Sequence, residues 1–171
     1  MREILLGGRV ANGRVALIDD EDFELVSQHR WHVFESNSHG CQAGPYAFAT
    51  IRVNDRKTKI QMHRLITGYP YTDHVNHDGL DNRRANLRPA TNAQNNHNQR
   101  PRKSTSSQYK GVTWHRQVKK WQATIKLDGK CHYLGVFVIE EDAARAYNAA
   151  ALDAYGSYAY LNPLPTEERA A

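Results

Sequence analysis

A chain of 171 residues has room for one ordinary domain or two small ones, since a single core usually needs on the order of 100 residues; two compact modules is the better fit. Lys and Arg number 23 against 18 Asp and Glu, and the surplus gathers between His97 and His132, where Arg100, Arg102, Lys103, Lys110, Arg116, Lys119, Lys120, Lys126 and Lys130 face only Asp128, so the expected partner is a polyanion rather than an acidic protein. Cys41 and Cys131 form no Cys-x-x-Cys pair and no disulfide framework, no apolar run approaches the ~20 residues of a membrane span, and residues 1–7 are too short and too acidic for a secretory signal; a soluble, cytoplasmic protein that is neither secreted nor membrane-bound is expected.

Along residues 1–66, β-like runs at 15–18, 31–34, 46–53 and 59–63 alternate with turn signals at Asn12-Gly13, Ser38-His39-Gly40 and Asn54-Asp55, which predicts a small antiparallel sheet. Residues 20–26 open with carboxylates that suit a helix N-terminus, so one short helix is expected there. From Asp73 to Asn98 apolar residues become scarce and Asn frequent. Such a segment buries little, and polar contacts or a metal must hold it. Residues 92–99 suit a short helix with Thr91 as N-cap. Residues 100–107, punctuated by Pro and Ser, read as an exposed basic linker. Beyond it, 109–115, 121–127 and 130–137 read as three strands, with Asp128-Gly129 as the hairpin turn between the last two. Ala143, Ala146, Tyr147, Ala150 and Ala151 recur at helical spacing, which predicts a helix from about 140 to 155, stopped by Gly156 and able to lie close on a sheet. On the middle strand Gln122, Thr124 and Lys126 share one face and Trp121, Ala123 and Ile125 the other. Trp121 is expected as core beneath the helix and the helix as structural cover.

Asp73-His74, the run Gly79-Leu80-Asp81-Asn82-Arg83-Arg84-Ala85-Asn86-Leu87-Arg88 and Gln94-Asn95 stand in order, and this segment resembles the HNH motif of phage and intron-encoded endonucleases. Met62-His63-Arg64-Leu65-Ile66 is similar to the strand that leads into that motif. The resemblance implies a ββα-metal fold spanning 62–98 within a nuclease domain of residues 1–99. It further implies one divalent ion, Mg or Mn, held by Asp73 and Asn95, with His74 as general base and Asn82 pinning the loop so that the imidazole keeps one orientation. The donor types agree: a carboxylate and an amide oxygen are hard ligands, and an imidazole titrating near ~6.5 can accept a proton from water at neutral pH. His77, followed by Asp78-Gly79, offers a rival register, but it leaves too few residues before Asn95; His77 is expected beside the site or on a phosphate, and His63 as a structural partner beneath it. Arg83, Arg84 and Arg88 suit DNA phosphates, and Arg84 or Arg88 equally suits bracing of the loop. With no cysteine pairs, structural zinc is not expected.

Tyr109-Lys110-Gly111-Val112-Thr113-Trp114, Lys120-Trp121-Gln122-Ala123-Thr124-Ile125, Tyr133-Leu134-Gly135-Val136-Phe137 and Glu141 to Ala151, with Asn162 near the end, closely resemble the plant APETALA-type, or ethylene-response-factor, DNA-binding domain over 104–163. The resemblance implies a domain at 108–163 before a tail at 164–171, with DNA contacts from Lys110, Thr113, His115, Lys119, Thr124, Lys126, Cys131 and Tyr133. Arg102, Lys103 and Lys130 join them on charge. Thr113, His115 and Cys131 stand where Arg is common in the plant family, and Arg reads guanine best, so the plant target does not transfer. The whole is expected as α+β: an N-terminal antiparallel sheet leading into the HNH site, then a three-stranded sheet packed on one helix. It is expected to cut duplex DNA as a monomer or weak dimer, without a small-molecule cofactor, in a phage or mobile-element homing role. The rival readings are a non-cleaving DNA-binding regulator and an RNA-binding module.

Overall fold

The computed structural model describes residues 1–38, 41–101 and 105–165; His39 and Gly40 of the expected hairpin, and Arg102 and Lys103 of the expected DNA contacts, lie outside them. Two compact units divide the chain at Met1–Asn95 and Asn96–Ala171, both of mixed helix and antiparallel sheet.

In the first unit, β1 (Arg2–Leu5) pairs with β2 (Val15–Ile18), and a 3-10 turn at Asp20–Asp22 runs into α1 (Phe23–Ser27). β3 (His32–Ser38), β4 (Cys41–Val53) and β5 (Arg56–Gln61) form an antiparallel meander. Asn54 and Asp55 take φ of 48° and 60° between β4 and β5, the left-handed pair that matches strand twist in a tight hairpin. The expected single sheet is therefore several small ones, and β1 is an addition to the strands read from the sequence.

The meander has two faces. Val33, Ala47 and Ala49 point into the core with Ile60 against them, while their neighbours His32, Phe34, Tyr46, Phe48, Thr50, Arg52, Lys57 and Lys59 share the other side by register. Residues 62–66, expected as strand, are instead α2 (Met62–Thr67). Met62 and Ile66, one turn apart, bury themselves in the core, and Gly68 ends the helix at φ 69° with its N–H on the Arg64 carbonyl at 2.9 Å. β6 (Thr72–His74) and β7 (Leu87–Pro89) then pair across a long loop, and α3 (Asn92–Asn98) follows. Thr91 caps α3 as expected: the Gln94 N–H donates to Thr91 Oγ1 at 3.2 Å and the Thr91 N–H to Gln94 Oε1 at 2.8 Å, a reciprocal capping box.

In the second unit β8 (Val112–His115), β9 (Lys120–Leu127) and β10 (Lys130–Phe137) form a sheet in the order β10-β9-β8, covered by α4 (Glu140–Tyr155). Ala123 and Ile125 are buried with Ala143, Ala144, Tyr147 and Ala151. Trp121 packs half-buried against the same cluster, as core rather than free ring. Gly111, just before β8, lets the Tyr147 ring of α4 come close: a Cβ there would stand 2.0 Å from that ring. Asn162 closes the unit. Its side chain accepts from the Lys110 N–H at 2.7 Å and donates to the Lys110 carbonyl at 3.0 Å, while its backbone is bonded to the Asn148 carboxamide. Residues 105–107, expected as loose linker, are bound into this unit: Ser107 Oγ donates to Glu140 at 2.6 Å and accepts from the Tyr109 N–H at 2.9 Å, and Ser106 Oγ accepts from the Trp114 N–H.

Candidate active site and nucleic-acid surface

Asp73 and His74 are adjacent on β6, where alternation turns one side chain to each face; both are buried because β6 is covered on both sides. Across the ladder Asp73 opposes Arg88. The Arg88 Nε–H and Nη2–H both donate to Asp73 Oδ2, at 2.9 and 2.6 Å, so Arg88 braces the site and is no free phosphate contact.

His74 sits edge-on to His63, ring centroids 4.9 Å apart, and both rings meet Tyr46 at 5.8 Å. Burial pulls the His74 pKa below its ordinary value, while the hydrogen-bonding carboxamide of Asn82 and the charges of Asp73, Asp78 and Asp81 oppose that pull. Burial, with the neighbouring His74 and Arg64, lowers His63 to about 3. Tyr46 is raised, by burial and then by Asp73. His63 thus lies beneath the site, neutral and packed.

The loop from 75 to 86 is fixed by its own polar groups. Asn86 accepts the Asn76 N–H at 2.9 Å and donates to the Asp81 carbonyl at 2.7 Å; the Asn76 carboxamide donates to Asp81 at 2.8 Å. Arg83 grips Asp81 with two bonds of 2.7 Å. The Leu17 N–H donates to the Leu80 carbonyl at 2.9 Å and the Asn82 N–H to the Leu17 carbonyl at 2.8 Å, which stitches the loop to β2. Asn82 is fully buried beside the imidazole. His77 takes φ 62°, half-exposed, with its N–H on the His74 carbonyl at 3.0 Å. Gly79 lies flat on Tyr46; a Cβ there would stand 2.4 Å from the ring and from the Pro45 carbonyl. Arg84 forks onto Asp22 at 3.0 and 2.7 Å and reaches Glu21 at 2.8 Å. Both Arg83 and Arg84, expected on DNA, therefore brace the loop from partly exposed positions.

The structure thus gathers Asp73, His74, Asn82 and His63, and adds Tyr46, Asn76, Asp81 and Asn86, to which the sequence alone gave no role. Tyr46 gave no local signal, because it reaches the imidazole from a strand 28 residues away in the chain. Asn86 lay within the motif run, and its place there was the available clue. Asn95 is exposed on α3. Among the described residues no three His, Cys, Asp or Glu come together as a metal cage. A carboxylate and an amide oxygen, such as those of Asp73 and Asn95, would suit a hard cation that keeps much of its water and takes substrate oxygens.

On the second unit the register sets Thr113 beside Gln122, Tyr133 beside Thr124 and Cys131 beside Lys126, with His115 opposite Lys120, all on the side away from α4. Six of the expected contact positions, Thr113, His115, Thr124, Lys126, Cys131 and Tyr133, thus share one sheet face. Lys119 stands in the β8–β9 turn with φ 50°, and Lys130 begins β10, exposed. Lys110 departs from the expectation. Its Nζ donates to the carbonyls of Asn96, His97 and Gln99 at 3.2, 2.6 and 2.8 Å, using all three protons at a helix C-terminus. Burial lowers it to about 8.

No protein-family model matches the chain. It is 29% identical over 163 residues to an uncharacterized HNH endonuclease of Acanthamoeba polyphaga mimivirus, covering 89% of this chain and 76% of that protein. A stretch of 60 residues, 35% of the chain, is 45% identical to APETALA2-like protein 2 of rice, and 59 residues are 48% identical to the AP2-like ethylene-responsive transcription factor PLT2 of Arabidopsis thaliana. The chain spans 14% and 10% of the length of those two plant proteins. No helix among the described residues is long and apolar enough to cross a membrane. The chain is thus similar along most of its length to a viral HNH endonuclease and, over about a third, to plant AP2-like proteins.

Proposed function

We propose that the protein is an HNH-type endonuclease that hydrolyses phosphodiester bonds in duplex DNA and holds its target through the sheet of its second unit. The observation that carries this reading is the buried pair Asp73 and His74, with the imidazole wedged between His63, Tyr46 and Asn82. An imidazole fixed in that way keeps one orientation toward an attacking water and takes its proton. Asn82 orients the ring and Arg88 holds Asp73 in place. Asp73 and Asn95 would hold one Mg or Mn ion, which when bound supplies charge to the phosphoryl group. The donors include no thiolate pair, so structural zinc is outside this proposal. On the second unit, Thr113, His115, Thr124, Lys126, Cys131 and Tyr133 face the major groove, and Lys119 and Lys130 meet phosphates. A nuclease centre joined to a DNA-reading module is the layout of a mobile-element homing enzyme.

The test is a supercoiled plasmid incubated with Mg or Mn. Wild type nicks it, while Asp73→Ala and His74→Ala leave it supercoiled. Supercoils that persist with wild type under both metals would leave the non-cleaving regulator, the reading that the plant-type sheet face favours.

A further inference from the structure

On the nuclease unit, the outer face of the β3–β4–β5 meander carries charge that neither the site nor the core uses. Arg52 sits opposite Lys57, and Thr50 opposite Lys59, on the face that also presents Tyr46 and Phe48. Arg52, Lys57 and Lys59 are exposed. Between 52 and 59 the only anion is Asp55 in the turn. The Lys59 ammonium lies 5.1 Å over the Phe48 ring, which holds the charged end on the outer face of the sheet. One end of this face is already in the candidate site, because Tyr46 touches the His63 and His74 rings. We infer that this face is a second DNA-binding surface, a phosphate track leading out of the catalytic cluster along β4 and β5.

The dimensions agree. From Tyr46 to Arg52 a strand advances about 20 Å, at ~3.4 Å per residue, and B-DNA advances ~3.4 Å per base pair on each strand. The track therefore reaches about six base pairs from the position facing His74. Lys59 and Lys57, two residues apart on one face, stand about 7 Å apart, a spacing suited to points along one DNA strand. Cations that no carboxylate among the described residues pairs, arranged in line and continuous with a phosphodiester site, match a polyanion better than a protein surface.

The inference rests on the nuclease reading, and its test separates the two. All binding is measured on full-length His74→Ala protein with a fixed duplex across a salt series, so no result depends on cleavage. Arg52→Gln/Lys57→Gln/Lys59→Gln is expected to weaken binding at least tenfold at about 150 mM salt and to flatten the log–log salt slope by about 2 to 3, near ~0.9 for each phosphate no longer neutralised. The charge-keeping Arg52→Lys/Lys57→Arg/Lys59→Arg holds affinity and slope. Lys57 and Lys59 become protected from acetylation when the duplex is bound, a readout that needs no variant to fold. Unchanged slope in a folded Gln variant, equal acetylation with and without DNA, or tighter competition by duplex RNA at matched salt would overturn it. Protection of both lysines, alongside wild-type protein that never nicks the plasmid, would leave the surface standing and the nuclease reading refuted.

Discussion

Replacing Arg88 by Met keeps the aliphatic reach of the side chain and removes its charge. Asp73 is then a carboxylate 4% exposed, stripped of two charge-assisted hydrogen bonds at 2.9 and 2.6 Å. Breaking a buried ion pair from one side costs about 3 to 5 kcal/mol, mostly the penalty of the charge left behind. In a unit of some 95 residues, where 1 kcal/mol corresponds to about 4–8 °C, that loss lowers its calorimetric transition by at least about 12 °C. Asp73→Asn in the wild-type background strands Arg88 instead and costs a similar amount, but Asp73→Asn combined with Arg88→Met leaves neither charge behind. The double variant should therefore recover a coupling energy of about 2 kcal/mol or more in a double-mutant cycle. Additive single effects, or a loss under about 1 kcal/mol for Arg88→Met, would show that the pair is not what holds β6 to β7.

Gly79→Ala forces a methyl to 2.4 Å from the Tyr46 ring and the Pro45 carbonyl; overpacking of that kind costs about 1–3 kcal/mol, and the shifted ring should also cut nicking, read from the melting transition and the plasmid assay together. His63 is held at about 3 in the folded protein, below its value of ~6.5 in the unfolded chain, so between those values the unfolded state binds more protons and stability falls as pH drops. His63→Phe should reduce that slope by up to about 1.4 kcal/mol per pH unit in denaturation curves from pH ~6.5 downward, and an unaltered slope would refute the buried neutral ring. Asn162→Ala leaves the Lys110 N–H and carbonyl short of their partners; the transition of the second unit should lose about 2–4 kcal/mol, against a surface-like change below about 0.5 kcal/mol if the clasp is incidental.

Where local chemistry decides structure, the sequence was legible. Asp128-Gly129 adopts φ of 47° and 79°, the turn that its dipeptide demands, and the alanine stripe of α4 lies buried on the sheet. Thr91 announced α3 as its N-cap. Residues 62–67 were misread because β-like Lys59 to Gln61 runs straight into them, and only the one-turn interval of Met62 and Ile66, with Gly68 beyond, favours a helix. β1 was overlooked since four residues give no visible alternation until Val15–Ile18 supplies the partner. In the site, the adjacent Asp73 and His74 could be read from the motif, whereas Tyr46 and the Asp73–Arg88 pair depend on which strands meet. The role assigned to Lys110 failed for a similar reason: its charge was visible, but the carbonyls that claim it lie more than ten residues upstream.

The Asn162 clasp also bears on how such a module travels. By holding the backbone of Lys110 on both its donor and acceptor sides, it brings the start and finish of the three-stranded unit to one spot. A segment whose two ends already touch can be spliced between unrelated partners without stretching either junction. The same few hydrogen bonds that finish the fold thus leave its two ends side by side, where other domains can be joined without strain.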